Sequence, residues 1–199
     1  LFDIIPQFQE LSSIDLGGGF KVPYKKGDAE TDMPLLAQKV HEAFANHPNP
    51  NGKHLQVWFE PGKFLVSAAG YLVAEVNVIK ENTNTCFVGL NTGFNHLIRP
   101  MFYDAYHQIE NISNPAGEEK HYSVTGNICE TDTFAWDRKI SEVHEGDLLV
   151  FKNAGAYGFE MASNFNSRYK PAEVMIKDGK AQLIRKRDVF EDLLTNQIL

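Results

Sequence analysis

Cysteine is scarce in this 199-residue sequence, with Cys86 and Cys129 the only two. That is too few for a disulfide scaffold, and they show no metal-ligand spacing, which suits a reducing compartment. The one glycosylation sequon, Asn111-Ile112-Ser113, is then expected to be a chance match. Long apolar runs are missing too. None approaches the ~20 residues that cross a bilayer, and the opening "LFDIIPQFQELSSIDLGGG" has neither the basic n-region nor the small-residue cleavage site of a signal peptide. Basic residues are the minority: 19 Lys and Arg against 26 Asp and Glu leave a net charge of −7, so a phosphate backbone would have to be held by a local patch against an unfavourable mean field. The histidines form no HExxH or His-x-His pattern, so no metal is assigned. These absences point to a soluble, cytoplasmic protein with neither nucleic acid nor membrane as partner.

What is present describes a folded chain, since 43% apolar residues with 12% aromatic is ordinary for a globular protein and rules out a disordered one. The first residue is Leu1 rather than methionine, and a strand-then-glycine pattern follows almost at once, so the sequence is expected to be the latter part of a longer protein. "SSIDLGGGF" reads as a short buried strand, with Ile14 and Leu16 among its apolar members, that breaks into three glycines. "TDMPLLAQKVHEAFANH" places Leu36, Val40, Ala43 and Phe44 on one helical face, with Thr31 or Asp32 as cap and Pro34 in the first turn. "HPNPNGK" is a loop, and "LQVWFEPG" is a second apolar strand ended by Pro61-Gly62. Strand, helix, strand predicts a βαβ unit.

From about Gly70 the period changes. "LVAEVNVIK" alternates, and "NTCFVGLN", "KHYSVTGNI" and "DLLVFKNAG" read as further short strands. "AEVMIKDGKAQLIRK" predicts a hairpin, because Asp178-Gly179 suits two successive positions of positive φ. At the end, "RDVFEDLLTNQIL" sets Phe190, Leu193, Leu194 and Ile198 on one face of a helix, and Asp188 with Glu191 resembles a capping box. Neither an internal repeat nor a low-complexity linker separates the halves.

Several short motifs carry chemistry, each with a plain structural reading beside it. Gly17-Gly18-Gly19 end a strand, where bare backbone amides can surround a phosphate; the same trio can be a tight turn with no ligand. It is no Rossmann fingerprint and no P-loop. Glu60 of "EPGK" is either a solvated strand end or a carboxylate that keeps a heterocyclic nitrogen protonated. Cys129 in "GNICETDTFAWDR" is either a small buried hydrophobe or a reacting thiol. "LIRPMFY" offers Arg99 and Tyr103 four residues apart, and "GAYGF" offers Tyr157 at a strand-to-loop turn.

Taken in order, "IDLGGGF", "EPGKFLVSAAGYLV", "FNHLIRPMFYDAYHQI", "CETD" and "NAGAYGFEMASNFNSRYKPAEV" closely resemble the bacterial diaminopimelate decarboxylases, pyridoxal-phosphate enzymes of the alanine racemase-like fold type grouped with the ornithine and arginine decarboxylases. The resemblance covers nearly the whole chain. It implies an α/β plus β architecture: residues 1–72 as the last βα units of a pyridoxal-phosphate-binding (β/α)8 barrel, and residues 73–199 as a mostly antiparallel C-terminal β-sandwich or barrel domain with a terminal helix. A whole barrel needs ~250 residues, so only its closing units fit here.

The resemblance also implies roles. Gly17, Gly18 and Gly19 would cradle the cofactor phosphate, with Tyr157 adding its hydroxyl. Glu60, leading the segment with Pro61, Gly62 and Lys63, would face the pyridine nitrogen. Arg99 and Tyr103, with Lys63 and Tyr157 nearby, would hold the substrate's distal carboxylate, which suits a guanidinium fork and a phenol. The cysteine segment would cross a homodimer interface, Glu130 recognising the distal amino group and Cys129 donating a proton after decarboxylation; an ordinary thiol, with a pKa of about 8.5, is mostly protonated at neutral pH. Asp132 is read as structural. Three departures stand out. Lys63 replaces a common arginine and lacks its planar fork, "CET" replaces "CES", and the lysine that binds the cofactor covalently in the family has no matching motif here. The expected activity is decarboxylation of meso-2,6-diaminopimelate to L-lysine by the full-length protein. The alternatives are a relative acting on ornithine, arginine or carboxynorspermidine, and a non-catalytic dimerisation homologue.

Overall fold

The computed structural model describes residues 1–47, 52 and 54–198. Most of the predicted "HPNPNGK" loop, at 48–51 and 53, lies outside the described residues. The chain divides into two compact units, Leu1–Ser67 and Ala68–Leu199. This boundary falls a few residues before the expected 72/73 junction. The reason lies in Gly70: an added Cβ there would stand 2.4 Å from the Gly155 Cα, and the Gly70 carbonyl accepts from the Ala154 amide at 2.8 Å. These backbone contacts tie the segment to the sheet unit.

The first unit contains the expected βαβ arrangement. Strand β1 (Ser13–Asp15) pairs in parallel with β2 (Gln56–Trp58), Ile14 opposite Val57, and helix α1 (Met33–Asn46) lies between them in sequence. Asp32 is the cap: its Oδ1 accepts from the Leu35 amide at 2.9 Å, which satisfies one of the donors every helix start leaves open. Thr31 turns instead to the Lys21 amide. Leu36, Val40, Ala43 and Phe44 are the half-buried positions of the helix, as a 3.6-residue period requires, and Phe2 packs edge-on to Phe44 at 5.2 Å. Beyond β2, helix α2 (Gly62–Val66) carries Phe64 against Phe20, which also meets Phe59.

The second unit is built on a six-stranded sheet. Its strands are β3 (Leu72–Glu81), β4 (Cys86–Leu90), β5 (Ile109–Asn111), β6 (Glu119–Thr125), β7 (Thr133–Ser141) and β8 (Leu148–Phe151), in the spatial order β5-β8-β3-β4-β6-β7. Every neighbouring pair is antiparallel except β4 and β6, which run parallel. The edge strands β5 and β7 come back into contact, so the sheet curls upon itself, leaving a cleft between them lined by Ile109, Asn111, Lys139 and Ile140. Inside the curl, Val76, Val88, Leu90, Val124, Leu149 and Phe151 are almost wholly buried, one residue in two along each strand as the pleat demands. Asn111, the sequon asparagine, is buried with its amide nitrogen donating to the Glu142 carbonyl and the Asp147 carboxylate, both at 2.8 Å.

Helix α3 (Arg99–Tyr103) leads from β4 toward β5. The predicted hairpin forms as β9 (Glu173–Lys177) and β10 (Lys180–Arg185), with φ of 51° at Asp178 and 71° at Gly179. The terminal helix is shorter than expected: α4 spans Phe190–Leu193 and half-buries only Leu193 and Leu194 of the proposed face. The expected capping pair also shifts by one residue. Val189 takes the cap position, and its amide donates to Asp192 at 2.8 Å. Asp188 accepts instead from the Lys170 amide and Asn164. Its carboxylate thus closes a loop rather than starting a helix.

Candidate functional site

In the first unit the ladder between β1 and β2 runs on past the strands into the glycines. The Leu16 amide donates to the Trp58 carbonyl and the Glu60 amide to the Gly17 carbonyl, both at 2.9 Å. Gly17 and Gly19 take φ of 71° and 82°, a region open to glycine and costly for other residues. Gly18 is required for a different reason: an added Cβ would lie 2.5 Å from the Glu60 carbonyl oxygen. Gly17 and Gly18 are therefore brought beside Glu60, and the Glu60 side chain is exposed. Pro61 and Gly62 open α2, and Lys63 extends its ammonium to 5.6 Å from the Tyr24 ring. Tyr24 in turn meets buried Ser67 through its hydroxyl at 3.1 Å. The Gly17 amide donates to the Asp15 carboxylate at 2.7 Å; the Gly18 and Gly19 amides, beside the Glu60 carboxylate, suit a phosphate attached to a cationic heterocycle.

The second unit holds the other predicted residues. Cys129 and Glu130 sit exposed on the loop from β6 to β7, and that loop is wrapped around Asp132. One oxygen of this buried carboxylate accepts from the Phe94 amide at 2.8 Å and the other from the Ile128 amide at 2.9 Å. The Gly126 amide donates to the Asp132 carbonyl at 2.8 Å. Burial pushes the Asp132 carboxyl above its ordinary range, against the pull of those two amides. The carboxylate two residues beyond Glu130 thus shapes the loop that presents it. Asn166, in the left-handed region at φ 59°, directs its amide nitrogen toward the Cys129 sulfur at 3.6 Å, and Arg168 donates to the Asn127 carbonyl. Neither contact was foreseen, because both bridge segments far apart in sequence.

Arg99 and Tyr103 share α3 but not an environment. Arg99 is buried, while Tyr103 lies at the surface with its ring edge-on to Phe102. The Arg99 guanidinium meets His107 at 3.2 Å. Tyr157 is exposed with φ of 56°, held between buried Ala156 and Gly158, where an added Cβ would stand 2.2 Å from the Ala154 carbonyl oxygen. Among the described residues no group of three or more His, Cys, Asp or Glu could hold a metal ion, and no helix is long and apolar enough to cross a membrane.

Comparison with known proteins places this geometry in context. The family model described as "Pyridoxal-dependent decarboxylase, C-terminal sheet domain" matches residues 29–155. The diaminopimelate decarboxylase of Methanothermobacter thermautotrophicus is 41% identical over 191 residues, 94% of this chain and 44% of that protein. The solved diaminopimelate decarboxylase of M. jannaschii in complex with L-lysine superposes with a TM-score of 0.86 at 32% identity, covering all of this chain and 45% of the other. The lysine/ornithine decarboxylase of Vibrio vulnificus complexed with cadaverine superposes less well, with a TM-score of 0.67 at 28% identity over 79% of this chain and 41% of the other. The chain spans less than half the length of each of these proteins.

Proposed function

The chain belongs to the pyridoxal-dependent decarboxylases, contributing the C-terminal sheet domain of that family, and from this premise we propose that the complete protein decarboxylates meso-2,6-diaminopimelate to L-lysine with pyridoxal 5'-phosphate. The observation that carries the reading is the pairing of Gly17 and Gly18 with Glu60 at the end of one parallel ladder, with Gly19 next in the chain. On this reading the Leu1–Ser67 unit is the closing part of a (β/α)8 barrel. A two-stranded parallel sheet supports that, since parallel strands are stable when further strands and helices cover them.

The residues present fit the cofactor. The Gly18 and Gly19 amides, with the Tyr157 hydroxyl, would take its phosphate, while the Gly17 amide donates to the Asp15 carboxylate at 2.7 Å and Gly17 shapes the turn; Glu60 would lie at its ring nitrogen with Pro61, Gly62 and Lys63 alongside. When bound, the group supplies an electron sink for the pair left behind as carbon dioxide departs. The chain's own residues do the rest. Glu60, as a carboxylate, favours a protonated ring nitrogen. Arg99, with Tyr103, binds the distal carboxylate that distinguishes diaminopimelate from ornithine. Glu130 accepts from the distal ammonium, and the Cys129 thiol delivers a proton to the carbon that lost carbon dioxide. Cys129 and Glu130 act on the site of a partner subunit in a homodimer.

The experiment is a substrate panel on the complete protein, with carbon dioxide release measured for diaminopimelate, ornithine and arginine, for the wild type and for Arg99→Ala. Diaminopimelate turnover is expected in the wild type and a large rise in KM in the variant. Consumption of ornithine with diaminopimelate ignored would sink the reading.

A further inference from the structure

We propose that His107 is a positioning residue that sets the aim of the Arg99 guanidinium, and through it the grip of the site on a distal carboxylate. The inference rests on the reading of Arg99 given above.

Both side chains are buried, His107 at 2% exposure and Arg99 at 8%. The imidazole Nδ1 lies 2.8 Å from the Lys152 carbonyl oxygen. A carbonyl oxygen can only accept, so Nδ1 carries the proton. Burial, aided by the Arg99 and Arg138 charges and opposed by the Lys152 hydrogen bond, lowers the His107 pKa to about 4, so at neutral pH the ring is uncharged. Its Nε2 is then a bare lone pair, 3.2 Å from Arg99 Nη1, and the guanidinium donates to it.

The ring is fixed from three elements. Helix α3 brings Arg99. Strand β7 brings Arg138, which donates to the His107 carbonyl at 3.1 Å and lies 3.7 Å over the Tyr106 ring. The segment after β8 brings the Lys152 carbonyl, itself set by the Lys152 amide donating to the Gln108 carbonyl at 2.9 Å. A directional acceptor on Nη1 helps to define the plane of the guanidinium, and plane orientation decides whether it can meet a carboxylate as a fork. The acceptor's charge matters as well. A carboxylate in this place would cancel the positive charge meant for the substrate, whereas a neutral imidazole orients the fork and leaves its charge intact.

Two substitutions separate the functions of the two ring nitrogens. In His107→Asn the amide nitrogen overlaps Nδ1 and keeps the donor to Lys152, but the acceptor that faces Arg99 Nη1 is lost. In His107→Gln the amide oxygen overlaps Nε2 and keeps that acceptor. The complete, cofactor-loaded protein is assayed for kcat and KM with diaminopimelate. Inhibition constants are measured for L-lysine, which retains the distal carboxylate, and for cadaverine, which lacks it.

His107→Asn is expected to raise KM and the lysine inhibition constant about tenfold, the cost of one buried hydrogen bond to a charged group. Its kcat should stay within about threefold and its cadaverine constant should not move, while His107→Gln should stay within about threefold of wild type throughout. Equal losses in the two variants, or a cadaverine constant that rises with that of lysine, would overturn the proposal. Arg99→Ala is run alongside. If it raises KM and His107→Asn does not, the positioning role alone fails; if Arg99→Ala leaves KM unchanged, the reading of Arg99 fails and takes the proposal with it. Should the asparagine variant not fold, imidazole 15N shifts of the wild-type protein decide: a proton on Nδ1 supports the arrangement, and a proton on Nε2 refutes it.

Discussion

Asp132 touches no ligand in the proposed reaction, yet the loop bearing Cys129 and Glu130 depends on it. Its two oxygens each accept from a backbone amide, and the space around them is closed, since a Cβ on Gly126 would lie 2.0 Å from one of those oxygens. In Asp132→Asn an amide NH2 must face one of those N–H donors, leaving a buried group unsatisfied. The variant should lose about 2 kcal/mol in urea unfolding, and an unchanged midpoint would show that the loop is held by other contacts. His107 makes a second prediction at this scale, with a definite sign. Its folded pKa of about 4 lies below its ordinary 6.5, so the unfolded chain binds the proton more readily. Stability from this residue is complete above pH 6.5, falls as the pH drops, and is gone below about pH 4, a change on the order of 3 kcal/mol. Asp132 acts in the opposite direction, because its carboxyl is raised. Wild-type stability minus that of His107→Gln, followed by urea unfolding from pH 4 to 7, isolates the histidine and should rise with pH. A flat difference would show that the ring is not held neutral.

At the scale of elements, the parts that sequence reasoning recovers are those whose cause is local. Helix α1 follows from its 3.6-residue apolar period, and its start from Asp32. Replacing that cap tests the claim: Asp32→Ala should cost the protein about 1 kcal/mol in urea unfolding, and Asp32→Asn much less, because asparagine retains the acceptor oxygen. A loss as large in Asp32→Asn would mean that the charge, not the cap, is at work. The β9–β10 turn is equally local, since Asp178-Gly179 supplies both positive φ values. Strand β7 was missed because its alternation fails. Register shifts against β6, between Tyr122 and Val124 and again before Thr125, bury Phe134 and Ala135 in succession and expose Trp136 and Asp137 together. Strand β5 has three residues, too few for a period to show. The parallel β4–β6 pair was missed because direction is set by the long connection between them rather than by either strand. The site divides the same way. The glycine trio and Glu60 stand out as motifs at strand ends, but nothing in "DAYHQI" marks His107, whose tautomer is set by a carbonyl 45 residues away.

For the whole molecule, the residues proposed for chemistry divide between the two units: Gly17, Gly18, Gly19, Glu60 and Lys63 in one, Arg99, Tyr103, Cys129, Glu130 and Tyr157 in the other. In the proposed reaction a proton donor must reach the carbon that has just lost carbon dioxide, so on that reading Cys129 and Glu60 would serve the same bound substrate. Whether they do so within one subunit or across two has a quantitative signature. Glu60→Ala and Cys129→Ala complete proteins should each be nearly inactive alone. Random assembly of the two makes half of all dimers mixed. If the thiol serves the partner's site, each mixed dimer contains one site with both residues native, and co-expression should restore about a quarter of wild-type activity. If Cys129 and Glu60 come from one subunit, every site in every dimer lacks one of them. Activity of the mixture no greater than the sum of the separate variants would then rule out a site shared between subunits.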